Sequence, residues 1–160
     1  MKQIKVESIL TVYGDLTEAP KQVQDLMKVA QAAREKAYAP YSQFSVGAAL
    51  LLDTNEIVSG NNQENASYPS GLCAERTAIY SAAANYPNSR IMMLAITAGS
   101  TKHNTDKPIP PCGACRQAIA EYEIKQEQPI VIYFMGESGK LAKSNSLSNL
   151  LPWVFDKNVL

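Results

Sequence analysis

The sequence predicts an α/β fold, a single mixed β-sheet of about five strands with helices packed on both faces. Three observations lead there. Apolar residues recur with a period of two in some segments and at helical spacing in others. These segments follow one another in the order β-α-β-β-α-β-α-β, and clusters of Pro, Gly and Asn separate them. Crossovers between strands place helices on sheet faces, so this order describes one covered sheet. The 160 residues suit a single domain, 1–160, without repeat, low-complexity tract or linker.

Taken in order, residues 3–12 alternate, with Ile4, Val6, Leu10 and Val12 on one face, so residues 1–14 carry an additional strand-like segment. Leu16-Thr17-Glu18-Ala19-Pro20 opens a helix, since Pro at a first helical position lacks only an N–H that has no acceptor there. Val23, Leu26, Met27, Ala30, Ala33 and Ala37 then follow at helical spacing as far as Tyr38-Ala39-Pro40. Residues 44–53 and 56–62 read as strands of a hairpin turning at Thr54-Asn55. A helix opens near Cys73 and stops at Asn85-Tyr86-Pro87-Asn88. Residues 91–97 form a buried strand in which Met92 and Met93 fill the core. A polar loop, 99–111, with His103 facing solvent, leads to a helix opening at Cys112. Residues 129–135 give a further strand, Gly136-Glu137-Ser138-Gly139 a turn, and Leu147, Leu150, Leu151, Trp153 and Phe155 the apolar anchors of a short helix or turn.

Composition narrows the function classes. Hydrophobic residues make up 46% and charged residues 19%, the balance of an ordinary soluble domain. Fifteen basic and fifteen acidic side chains cancel, and only four of the cations are arginine. A nucleic-acid partner would call for a basic stripe, because phosphate contacts supply most of the affinity; none is expected here. The start, MKQIKVESIL, lacks the apolar core of a signal peptide, and the longest apolar run, 46–52, is too short to cross a bilayer. Three cysteines cannot all pair within the chain, which points to a reducing cytoplasm and to thiols available for a metal.

Two segments carry the chemistry, Cys73-Ala74-Glu75-Arg76 and Pro111-Cys112-Gly113-Ala114-Cys115. In the first turn of a helix, Cys112 and Cys115 lie on one side. A C-x-x-C alone is shared by redox motifs and structural zinc sites. A third cysteine at another helix start is more telling, because three thiolates leave tetrahedral zinc one open position, as catalytic sites require. Zinc suits such a thiolate-rich set better than iron does. Three thiolates leave the ion with a formal charge of −1, which helix N-termini and Arg76 can offset. Arg116 is a second candidate for that task, or a solvent-facing residue. Glu75, two residues from a proposed ligand, is placed to act on metal-bound water as a proton shuttle. Read alone, it is equally a first-turn acid favoured by the helix dipole.

The C-A-E of residues 73–75 and the P-C-G-A-C of 111–115 resemble the signature of the zinc deaminases in its three-cysteine form, with Cys73 in the histidine position. With the stretches 38–50, 60–68, 73–78, 111–117 and, more weakly, 150–155, the chain is similar to the small homotetrameric cytidine deaminases over roughly residues 20–155. The resemblance implies a cytidine deaminase-like α/β/α sandwich, one Zn²⁺ per subunit, and release of ammonia from cytidine and 2′-deoxycytidine in pyrimidine salvage. It implies zinc-bound water as nucleophile at C4, with Glu75 taking a proton from it and delivering one to N3, and later protonating the departing amine. It assigns Asn62 and Glu64 to the ribose 3′ hydroxyl, Phe44 to the pyrimidine ring, and the backbone of Ala74 to the base's polar edge. Tyr68 and Phe155 match residues that complete a neighbouring subunit's site, which implies a homotetramer. Two departures stand out: the loop before Cys112 is several residues longer than usual, and the segment before residue 14 is extra. Competing readings are a deaminase of bases within RNA or DNA, a deaminase of nucleoside antibiotics, and a non-catalytic zinc module. Zero net charge with only four arginines opposes the first, the Asn62/Glu64 pair with Arg76 the second, and the open coordination position with Glu75 the third.

Overall fold

The computed structural model, which describes residues 1–160 apart from the side chain of Val159, contains β1 (Thr11–Tyr13), α1 (Lys21–Arg34), β2 (Phe44–Leu52), β3 (Ile57–Asn61), α2 (Ala74–Asn85), β4 (Ile91–Ser100), α3 (Gly113–Gln126), β5 (Val131–Met135) and β6 (Leu141–Ser144). The strands form one sheet in the order β1-β6-β5-β4-β2-β3. Only β4 and β5 run parallel, and α3 is the crossover that joins them.

Alternation along the strands sorts the core into two layers. Ala48, Leu50 and Leu52 of β2 pack with Leu94, Ile96, Ile132 and Phe134 against Ala78, Ile79 and Ala82 of α2 and Ile119 and Ala120 of α3. Their neighbours Ala49 and Leu51 point the other way, with Ala95, Tyr133 and Met135, and meet Val23, Leu26, Met27 and Ala30 of α1. A strand buried on both faces reads as a continuous apolar run, which is why FSVGAALLL lacks polar alternation. Two glycines set how closely the layers approach. A side chain at Gly47 would strike the backbone of Ala30 and Arg34 in α1, and one at Gly60 would meet the backbone of Ala74 and Ala78 in α2.

The α/β/α sandwich follows the sequence reading, with local differences. The sheet has six strands rather than about five, because Leu141–Ser144 pairs with both β5 and β1. Four residues, L-A-K-S, are too few to show a period. The N-terminal strand covers Thr11–Tyr13 only, paired with Leu141–Lys143 of short β6, so the preceding residues have no strand edge to extend along. Ile4, Val6, Leu10 and Val12 are exposed. Ser8 and Ile9 instead hydrogen-bond Asn149, Ser8 through its hydroxyl to the carbonyl and Ile9 through its N–H to the side chain. α1 stops at Arg34, short of Ala37, because the chain leaves it to pair Tyr38 N–H with Asn62 O and Glu64 N–H with Tyr38 O. β4 continues to Ser100, three residues beyond its expected end, and Met92 on it is 40% exposed rather than core. No helix among the described residues is long and apolar enough to cross a membrane.

Candidate metal centre

Cys73 is the N-cap of α2 and Cys112 the N-cap of α3, and neither sulfur is spent on a capping hydrogen bond. Cys115 lies one turn further into α3 and is fully buried, while Cys73 is half-buried and Cys112 exposed. Contact between α2 and α3 brings the two segments together. The sulfurs of Cys112 and Cys115 are 3.5 Å apart and those of Cys73 and Cys112 4.0 Å, with all three inside 4.8 Å. Sulfurs bound at about 2.3 Å in a tetrahedral zinc site lie about 3.8 Å from one another, so these thiols fit that ion. Among the described residues no fourth side chain joins them, which leaves one coordination position for a reactant.

Positive charge converges on the same point. Each helix N-terminus contributes roughly half an elementary charge. Arg76 donates from Nη2 to Cys73 Sγ at 3.6 Å. Its Nε is buried without a hydrogen-bond partner, alone in this among the buried side-chain polar atoms described. The Cys73 thiol is pulled down to about 5, first by the hydrogen bond from Cys115 and then by Arg76, which outweigh its burial. Cys115 is pushed up, chiefly by its pairing with Cys73 and by burial. Arg116 does not join them: its Nε and Nη1 donate to Pro111 O and Leu150 O, both at 2.8 Å, fastening the loop before α3 to the C-terminal segment.

Glu75, in the first turn of α2, is only 4% exposed. Burial raises its carboxyl above the usual range, and the charge of Cys73 raises it further.

Beside Cys73 and Arg76 opens a cleft of about 420 Å³ whose lining includes Tyr41, Asn62, Glu64, Tyr68 and Leu72. Asn62 is held by β2: its Oδ1 accepts from Val46 N–H at 2.8 Å and its Nδ2 donates to Phe44 O at 2.9 Å. One amide hydrogen and one lone pair remain for a ligand. Glu64 Oε2 accepts from the N–H groups of Tyr41 and Ser42 at 2.9 and 3.2 Å. Hydrogen bonding, from Ser42 foremost, and the Lys102 ammonium hold the Glu64 carboxyl below its ordinary 4.5. Ala74, first residue of α2, carries one of the first-turn N–H groups that have no intrahelical acceptor. Phe44 and Phe155 are outside the cleft lining. Tyr68 borders its own chain's cleft at 76% exposure, and Phe155 is 62% exposed with its carbonyl bonded to Gln117 Nε2.

Sequence reasoning missed the backbone cradle of Tyr41 and Ser42 under Glu64, although both lie in the quoted 38–50 stretch. It also missed His103, which is exposed as expected but stacks on Phe44, ring centroids 6.5 Å apart.

The family model for the cytidine and deoxycytidylate deaminase zinc-binding region matches residues 20–131. A cytidine deaminase from Sporosarcina psychrophila is 40% identical over 138 residues, 86% of this chain and 94% of that protein. Another, from Halalkalibacterium halodurans, is 50% identical over 98 residues, 61% of this chain and 70% of that protein. The crystal structure of cytidine deaminase from Burkholderia pseudomallei superposes with a TM-score of 0.70 at 40% identity, covering 82% of this chain and 97% of that one.

Proposed function

This chain belongs to the cytidine and deoxycytidylate deaminase zinc-binding family, and on that premise we propose that Glu75 is the proton carrier in its hydrolysis of cytidine and 2′-deoxycytidine to uridine and 2′-deoxyuridine. The reaction releases ammonia and serves pyrimidine salvage. The observation that carries this reading is the meeting of three thiols inside 4.8 Å beside a buried glutamate at a helix N-terminus. Cys73, Cys112 and Cys115 would hold one zinc ion. Bound there, zinc supplies the Lewis acidity that makes water a nucleophile near neutral pH.

The chain's own groups do the rest. Glu75 takes the proton that the attacking water loses and delivers it to N3 as oxygen adds to C4. It then carries the proton of the new C4 hydroxyl to the amino group, whose bond to C4 breaks as the C4 carbonyl forms and ammonia leaves. Its raised pKa suits both directions of transfer. Glu64 and Asn62 receive the ribose 3′ hydroxyl, the carboxylate through its second oxygen. Phe44 packs against the pyrimidine, and the Ala74 N–H meets the base's polar edge. Arg76 offsets the charge of the thiolates. Tyr68 and Phe155, both largely exposed in one chain, are surfaces that a second copy covers, so the working form is a homotetramer with shared sites. Three unpaired thiols fit a cytoplasmic location.

The test is loss of cytidine absorbance together with ammonia release by zinc-replete protein, with deoxycytidine and cytosine in parallel. Turnover of the two nucleosides is expected. Absence of turnover of both rejects the reading. Sedimentation as a particle other than four chains rejects the tetramer.

A further inference from the structure

The long loop after β4 is not a free connector. Its distal half is anchored: buried Thr105 donates from Oγ1 to Ala98 O at 3.0 Å and accepts at its carbonyl from Glu137 N–H at 2.8 Å. Gly136 lies so close to Thr105 O, and Gly139 to Asp106 O, that neither position has room for a side chain. Its proximal half, held from that end, packs against Gln43 and Phe44, which follow Ser42 of the cleft lining. Thr101 donates from its N–H to Gln43 O at 3.3 Å and from Oγ1 to Gln43 Oε1 at 3.2 Å. Gln43 itself has φ 58°, a left-handed conformation that a non-glycine residue keeps only when its surroundings enforce it. Lys102 is close enough to Glu64 to favour its ionised form. The imidazole of His103, with Nδ1 3.3 Å from Ser100 Oγ, lies 23° from parallel with the Phe44 ring at 6.5 Å.

We propose that His103 is a positioning residue: it stacks on Phe44 and fixes the ring against which the pyrimidine packs, so that the long loop forms a wall of the substrate site. This rests on the reading of Phe44 as the base-packing residue. His103 acts through Phe44 on binding of the base and leaves proton transfer at Glu75 alone. An aromatic pair at this separation contributes about 0.5–1.5 kcal/mol beyond its buried area, which, to the extent that it pre-orders the Phe44 ring for the base, corresponds to a change in affinity of up to about tenfold.

Steady-state kinetics of the zinc-loaded protein with cytidine test this. His103→Ala should raise KM about twofold to tenfold with kcat within about twofold. His103→Phe, which keeps a flat ring, should restore KM, whereas His103→Gln, which keeps polarity alone, should not. Combined with Phe44→Ala, the His103→Ala change should add nothing further. Unchanged KM in His103→Ala, or rescue by Gln as complete as by Phe, overturns the proposal. If Phe44→Ala itself leaves KM unchanged, the reading of Phe44 fails instead, and the two failures are told apart. As the chain's single histidine, His103 also gives resolved imidazole proton resonances. They should move in Phe44→Ala and on saturation with uridine; resonances indifferent to both overturn the proposal.

Discussion

Gly60→Ala should weaken zinc binding although Gly60 lies on β3 and touches no proposed ligand. A methyl group there would sit 2.6 Å from Ala78 N, 2.7 Å from Ala74 O and 3.0 Å from Thr77 Cβ. Two of these atoms are helix backbone, so no rotamer change relieves the clash. To regain ordinary contact at 3.4 Å, α2 must retreat by about 0.8 Å from the nearer atom. Cys73 is the residue before Ala74 and moves with it, while Cys112 and Cys115 belong to α3. Metal–ligand distances tolerate about 0.2 Å, so a shift of this size misplaces one sulfur out of three. The expected cost is about 1–3 kcal/mol of unfolding free energy and about a tenfold or greater loss of zinc affinity. Gly113→Ala is the matched control: no heavy atom lies within 4 Å of the added carbon, although Gly113 stands between two proposed ligands. Replacing that glycine should be neutral or stabilise by about 0.4–1 kcal/mol. Urea unfolding and competition for zinc with a chromophoric chelator measure both effects. Gly60→Ala with parental zinc affinity and midpoint, or Gly113→Ala the more damaging of the two, would refute the close-packing account.

Glu75→Gln should lose about 10²–10⁴-fold in kcat and keep its zinc by metal analysis; substantial residual turnover rules out the proton carrier. Arg76→Gln should lower zinc affinity or kcat by about 10–100-fold, with parental values for both showing that the guanidinium near Cys73 is idle. For Glu64, hydrogen bonding sets the folded-state pKa below the unfolded one, so its contribution to stability is complete above an ordinary 4.5 and fades as pH falls through the lower folded value. KM for cytidine should therefore stay flat from about pH 7 to 5 on this account. A rise within that window that Glu64→Gln abolishes would contradict a carboxylate held ionised.

Much of the fold was legible because α1 carries its own helical periodicity, β2 and β5 are short apolar runs, and stop signals bound these elements and α2. Residues 141–144 were not, since a four-residue edge strand is defined by its partners β5 and β1 rather than by its composition. Residues 3–10 mislead for the converse reason. Their alternation is sound, but no neighbouring strand reaches them, and an unpaired backbone does not form sheet. Of the candidate site, the cysteines and Glu75 could be read from spacing and charge, whereas Phe44, Asn62 and Glu64 drew their meaning from family resemblance. Arg116 was left between two readings until its guanidinium was seen to hold Pro111 O and Leu150 O.

By itself the sequence determined a thiolate-rich metal site with a glutamate beside it. Helix starts and i,i+3 spacing are local properties, and local periodicity encodes them. Only the tertiary structure brought Cys73 to 4.0 Å from Cys112 across an intervening helix and strand, buried Glu75, and laid His103 over Phe44. Those depend on how α2, α3 and the long loop dock on the sheet, a matter of contacts between residues far apart in the chain. No short stretch of sequence contains both partners of such a contact.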